Sequence, residues 1–261
     1  MLSRLPTIME ITASSWGRII FWVGFYLFIL LSWAGLMAMT ASPIPGMSAA
    51  QYWAALCISA ENANPLALFG MWALMSSAMM LPSFVPAIRV FGELSAVQAS
   101  DGRSMLALAL GYGAVWISFS ALAAALQYGL AHAGVVSGAG EIFSPWLSAA
   151  LLGLAGAYQF SNAKEACLAK CRHPILFFME HWAPGLKRAF SLGVRLGIWC
   201  VGCCWLLMLL GFIGGTMNLL WMGAATLFMV LEKLKDVGQY LTKPLGAALL
   251  LSAVLHVINI F

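Results

Sequence analysis

Sulfur supplies most of the chemistry this chain can offer: it has 6 Cys and 15 Met among 261 residues. The sulfurs fall into three groups. In Met71-x3-Met75-x3-Met79-Met80-Leu81-Pro82 the spacing of four sets Met71, Met75 and Met79 along one helix face. Pro82 lacks the N–H that would bond the carbonyl of Ala78, which predicts a kink and a free acceptor beside the Met pair. In Cys167-x3-Cys171-Arg172-His173-Pro174 two thiols at i and i+4 face the same way, their Cβ atoms about 5–6 Å apart. Lys164, Lys170 and Arg172 beside them favour thiolate. In Cys200-x2-Cys203-Cys204-Trp205, Cys200, Cys204 and Met208 share a stripe, with Cys203 next to Cys200.

Each group has a plainer reading. Met fills irregular gaps in apolar helices, and a buried thiol behaves as a small hydrophobe. Cys167 and Cys171 read equally as two free thiols on an exposed helix, since a reducing compartment disfavours a structural disulfide. Three thiols in five residues of one apolar run are harder to assign to packing. Thiolate and thioether together select Cu(I) over Mg or Ca. The spacing is neither the Cys-x2-Cys-His of covalent haem attachment nor a four-Cys zinc framework. There is no P-loop, GxSxG or HExxH pattern, so nucleotide-driven chemistry is not indicated.

The elements that must position these groups are membrane helices. Apolar residues make up 62% of the chain and charged residues only 8%, against about 25% charged in soluble domains. One water-facing core cannot hide that much apolar surface, so lipid is the solvent for most of the chain. This excludes a soluble enzyme and a nucleic-acid-binding domain, despite a formal charge of +4. Seven runs approach the ~20 residues a helix needs to span a bilayer: Ile19–Ala41, Pro65–Ile88, Met105–Leu130, Pro145–Ala163, Ala189–Gly211, Thr216–Leu234 and Tyr240–Ile260. None alternates as a barrel strand would. The expected fold is all-α, one polytopic bundle of seven transmembrane helices over residues 1–261.

Loop charge sets the expected orientation. Arg4 and Arg18 precede the first run, Arg89 and Arg103 follow the second, Lys164, Lys170, Arg172, Lys187 and Arg188 follow the fourth, and Lys233, Lys235 and Lys243 surround the last loop. The intervening loops carry no Lys or Arg. Arg195 sits about two turns inside the fifth run, within snorkelling reach of the same side. The positive-inside rule then gives a cytoplasmic N-terminus and an external C-terminus.

Helix rise links the groups in depth. At 1.5 Å per residue, Cys200 lies ~16 Å and Cys203 and Cys204 ~22 Å from the inner end of the fifth run. By the same rise Met79 and Met75 lie ~14 and ~20 Å from the inner end of the second, and Met222 ~18 Å from that of the sixth. Taking the three runs as neighbours, their sulfurs share the middle of the bilayer, with Met71, Met208, Met217 and His256 toward the outer face. Cys167 and Cys171 belong at the inner surface, ~15–20 Å from the other thiols, unless the loop between them re-enters. Two sites are expected, with Arg195 balancing charge at the deeper one. His173 and His181 read as ligands or as solvated loop residues, Glu232 and Lys233 as a capping or snorkelling pair at the interface in preference to a proton relay, and Cys57 as a lone external thiol. The tract from Cys171 to Leu186, with Phe177, Phe178, Met179 and Trp182, suits the membrane interface.

The strings Met75-Ser-Ser-Ala-Met79-Met80-Leu-Pro82, Cys167-Leu-Ala-Lys-Cys171-Arg172-His-Pro174, Cys200-Val-Gly-Cys203-Cys204-Trp205 and Gly214-Gly-Thr-Met217-Asn218-Leu-Leu-Trp221-Met222 resemble, in order and spacing, a bacterial and archaeal family of predicted metal-binding integral membrane proteins. The resemblance covers roughly residues 70–235. It implies motif roles for Met79, Met80, Cys167, Cys171, Cys200, Cys203, Cys204, Met217 and Asn218, and a multi-pass protein of the cytoplasmic membrane. It supplies no substrate and no reaction.

The favoured reading is a Cu(I)-binding membrane protein that passes copper across the bilayer or to a membrane cuproenzyme. Its expected ligands are Cys167, Cys171, Cys200, Cys203, Cys204, Met75, Met79, Met80, Met208, Met217 and Met222. A non-catalytic structural subunit of a larger membrane complex is the first alternative. A metal- or thiol-dependent membrane oxidoreductase, or a subunit of one, is the second. The expected partners are the lipid bilayer and another membrane protein, with no nucleic acid and no nucleotide.

Overall fold

The computed structural model describes residues 8–40, 64–97, 102–137, 140–181, 185–216 and 218–259. The described residues are almost wholly helical: α1 (Ile8–Thr40), α2 (Pro65–Val97), α3 (Gly102–His132), α4 (Pro145–Tyr158), α5 (Asn162–Arg172), α6 (Pro174–His181), α7 (Leu186–Leu209), α8 (Gly211–Gly214), α9 (Leu219–Glu232) and α10 (Lys235–Ile258). Met217 and Cys57 fall outside the described residues.

Among the described residues, five stretches are long and apolar enough to cross a membrane: Trp16–Met39, Pro65–Leu94, Arg103–His132, Leu186–Gly214 and Val237–Ile258. The sequence led us to expect seven. The other two runs form α4 and α9, of 14 residues each, ~21 Å long by helix rise and short of a ~30 Å hydrocarbon core. Both stop early for a polar reason. After α4 the chain turns at Gln159–Ser161, and Ser161 Oγ caps α5 by accepting the N–H of Lys164 at 3.1 Å. At the end of α9, Glu232 and Lys233 turn inward rather than toward water.

Glycine sets the closest helix contacts, because without a Cβ it lets two helix backbones meet. The most extensive pair is α3 with α7. A Cβ on Gly193 would strike the Leu108 carbonyl, one on Gly111 the Phe190 carbonyl, and one on Gly197 would come within 2.9 Å of Val115. The α4 and α10 helices run antiparallel, with Gly156 against Leu250 and Gly246 against Gln159 and Phe160.

Pro82 and Pro86 lie inside α2. The acceptor freed at Ala78 is not left for a metal. Trp33 of α1 donates its indole N–H to that carbonyl at 3.1 Å. One turn on, Ser83 Oγ donates to the Met80 carbonyl at 2.8 Å. In α6, Phe177 and Phe178 are buried, Phe178 edge-on to Phe91 at 5.4 Å, while Ile175, Leu176 and Met179 are exposed. Trp182, also in the tract expected at an interface, is outside the described residues.

Candidate metal centre

The thiols of α7 point inward: Cys200, Cys203 and Cys204 are at most 1% exposed. Their Sγ atoms all lie within 4.8 Å of one another. Two sulfurs bound to one ion through bonds of ~2.3 Å stand at most ~4.6 Å apart, so the triad needs only a small adjustment to close on one ion. Cys203 and Cys204 Sγ are 3.2 Å apart, a contact between free thiols and not a disulfide. Cys203 also donates to the Cys200 carbonyl at 3.1 Å.

The structure overturns the expected separation of two thiol sites. The α5 helix packs along α7, and it brings the Cys171 thiol near enough to Cys200 and Cys203 for the three to influence one another's protons. Cys167 Sγ lies 2.7 Å from where a Cβ on Gly202 would stand, so only glycine lets it rest there. Helix rise misled because it placed α5 outside the bundle. The turn at 159–161 instead folds the helix back against α7, the re-entrant case. Cys171 thereby stands next to the triad, outside the three mutually close sulfurs, and Cys167, like it, is half-buried against the core.

The cations do not sit where the sequence suggested. Lys164 hydrogen-bonds Gln159 Oε1 and Glu232 Oε2 (3.0 Å to the carboxylate), with its Nζ 2.8 Å from Glu232 Oε1, and both charged side chains are 1% exposed. Arg172 donates to the Glu232 carbonyl (3.0 Å), to Thr242 Oγ1 (3.1 Å) and to Glu165 Oε1 (3.2 Å). Lys170 pairs loosely with Glu180 at 3.5 Å. With these charges engaged elsewhere, Cys167 and Cys171 are not pushed toward thiolate. Burial raises the Cys167 thiol above its ordinary range. The neighbouring Cys200 thiol, partly opposed by that of Cys203 and reinforced by burial, holds the Cys171 thiol well above it.

Arg195 lies on the exposed side of α7 and is not the cation at the thiols. That cation is Lys233. Its Nζ donates to Cys200 Sγ at 2.9 Å and to Ser83 Oγ at 2.7 Å. The lysine therefore ties α2, α7 and the end of α9 together, and makes neighbours of the three elements assumed to be adjacent. Glu232 and Lys233 are not an interfacial pair; each is buried with a different partner.

Sequence reasoning missed Tyr112. Its hydroxyl lies 3.0 Å from Cys200 Sγ, where either atom can donate, and 3.3 Å from the Met80 carbonyl. Phe84 stacks on the Tyr112 ring at 3.9 Å with the planes 1° apart. A tyrosine in an apolar helix is unremarkable by type; only its position opposite Gly193 and Gly197 sets it against α7.

The remaining expected ligands that the structure describes are buried sulfurs of the helix bundle. Met75, Met79, Met80, Met208 and Met222 belong to the same core cluster. Asn218 caps α9, its Oδ1 accepting the N–H of Trp221 at 3.1 Å. His181 bonds the Phe177 carbonyl of its own helix at 3.1 Å. A cavity of about 1120 Å³ opens between α1, α2 and α3; it reaches Met80 and Tyr112 but none of the cysteines, and Ile20, Phe21, Phe25 and Leu110 make it an apolar groove.

A cluster of this kind suits a soft monovalent ion: buried, sulfur-lined and served by one ammonium. No curated protein and no solved structure matches this chain. Residues 69–256, which include every described cysteine and both buried lysines, match the family model PpoB2, described as a copper chaperone, and the chain belongs to that family.

Proposed function

We propose that the protein binds Cu(I) through Cys171, Cys200, Cys203 and Cys204, with Met79 and Met80 alongside, and delivers it to a membrane cuproenzyme. One observation carries this reading: three thiols within 4.8 Å of one another stand beside the buried ammonium of Lys233, with the half-buried thiols of a second helix packed against them. Burying an ionisable group in a membrane helix bundle is costly and marks function by default. A Cu(I) ion on two thiolates carries a net charge of −1, which Lys233 offsets. Thiols without an ion are neutral and need no such partner. Cys167, half-buried on α5, is the exchange thiol through which copper reaches the cluster.

The alternation of cationic and cation-free loops supports seven crossings in the cytoplasmic membrane, N-terminus in and C-terminus out. In that topology α4 and α9 cross as short helices whose inner ends are continued by buried polar groups instead of lipid.

The test is elemental analysis of detergent-purified protein after growth in copper. The wild type is expected to retain copper, the Cys200→Ala/Cys203→Ala/Cys204→Ala variant to lose it, and Cys171→Ala to retain less. A wild type without copper, or a triple variant with the full load, refutes the reading.

A further inference from the structure

The inward face of α9 is unusual for an apolar helix. Its sequence, LLWMGAATLFMVLE, has four leucines and one valine, yet its buried residues are Met222, Thr226, Met229 and Glu232. Leu220 is 87% exposed and Leu227 61%. Lipid accepts leucine as readily as a protein interior does, so the outward leucines follow from the solvent, and the selected feature is the pair of thioethers and polar side chains facing in. This helix turns thioethers inward and leucine outward.

Lys233 fixes the register between this face and its neighbours. Through Lys233, Ser83 of α2 and Cys200 of α7 stand at one level. Moving away from that level, residue numbers fall on both α2 and α9, and the two helices pack together. Four residues back on each are Met79 and Met229, about 6 Å away by helix rise. Ser76 and Thr226 come next, beside Met75. Met71 and Met222 follow at ~17 Å. On α7 the numbers rise in the same direction: Cys203 and Cys204 reach the level of Met79, and Met208 reaches that of Met75. Each of these methionines is at most 3% exposed.

We propose that Met71, Met75, Met79, Met208, Met222 and Met229 form a column of thioether donors along which Cu(I) leaves the thiol cluster toward the opposite end of the bundle. The inference rests on the thiol site proposed above and gives it a direction, across the bilayer. Steps of about 5–6 Å between levels permit stepwise ligand exchange. Copper stays Cu(I) throughout; at each step one sulfur bond forms as another breaks, and the thiolates left behind take back protons. Thioethers are neutral and bind the ion more weakly than thiolate, so they pass it on instead of storing it.

The experiment uses the full chain in proteoliposomes under anaerobic, reducing conditions. Buffered Cu(I) is supplied outside and a membrane-impermeant Cu(I) chelator is trapped inside. Variants Met75→Leu/Met229→Leu and Met71→Leu/Met222→Leu preserve side-chain volume. Each is expected to slow arrival of copper at the chelator at least tenfold, with copper retained at the thiols unchanged. Transfer by both variants at the wild-type rate overturns the column. So does a wild type that holds copper at its thiols and passes none inward. A wild type that binds no copper overturns the thiol site itself, and the column with it.

Discussion

Lys233 places its ammonium 2.9 Å from Cys200 Sγ, across 33 positions of sequence. The same ammonium holds Ser83 at 2.7 Å, so the contact fixes the relative height of three helices as well as the charge at the thiols.

Removing that charge is expected to weaken copper binding. In Lys233→Met a Cu(I)–dithiolate would keep an unbalanced negative charge away from water. The Cu(I) affinity, read by competition with a chromophoric chelator, should fall at least tenfold, which is ~1.4 kcal/mol. Lys233→Arg should recover part of the loss. Unchanged affinity in Lys233→Met would show that the ammonium plays no part at the metal.

Copper affinity should also rise with pH. Cys171 is held above the ordinary thiol range, so it carries its proton at neutral pH and the incoming ion must displace it. A group whose proton is lost on binding makes the apparent affinity climb with pH until that group ionises on its own. The expected result is a steady gain from pH 6 to 9, shallower in Cys171→Ala. A flat profile in the wild type would contradict proton displacement.

The buried pair Lys164–Glu232 should be costly to break and cheaper to replace. Lys164→Met leaves a carboxylate without its cation in the interior, a loss of about 3–5 kcal/mol. Thermal unfolding in detergent should show a large drop for Lys164→Met, with most of it restored in Lys164→Met/Glu232→Leu. A double variant as unstable as the single would mean that the pair does more than neutralise itself.

Gly202→Ala should displace one thiol while sparing the fold. The new Cβ would stand 2.7 Å from Cys167 Sγ, and a cysteine side chain can rotate away. Alkylation followed by mass spectrometry should find Cys167 more reactive than in the wild type. Cys200, Cys203 and Cys204 should remain protected. Equal protection of Cys167 in both proteins would contradict the close approach of α5 to α7.

The sequence made the long apolar helices and the inward thiol triad legible, because both depend on local spacing. Cys200, Cys203 and Cys204 share a face by helical geometry alone. What stayed hidden depended on distant pairings. Tyr112 meets Cys200 across 88 positions and Lys164 meets Glu232 across 68. Lys233 looked like one of many inner-loop cations, since the positive-inside rule explains every one of them equally well. The return of α5 was lost for a different reason: a turn of three residues at 159–161 carries no strong breaker, yet it decides whether Cys171 sits in water or against Cys200.

The distance in sequence between Cys200 and Lys233 also orders events during synthesis. Tyr112, Cys171 and Cys200 are all made before Lys233, and at ~5–20 residues per second the last interval is roughly two to seven seconds. During that interval the α7 thiols join the nascent bundle as small neutral hydrophobes. The ammonium arrives last, when α9 closes over them, so the centre becomes polar only after the helices around it have already been laid down.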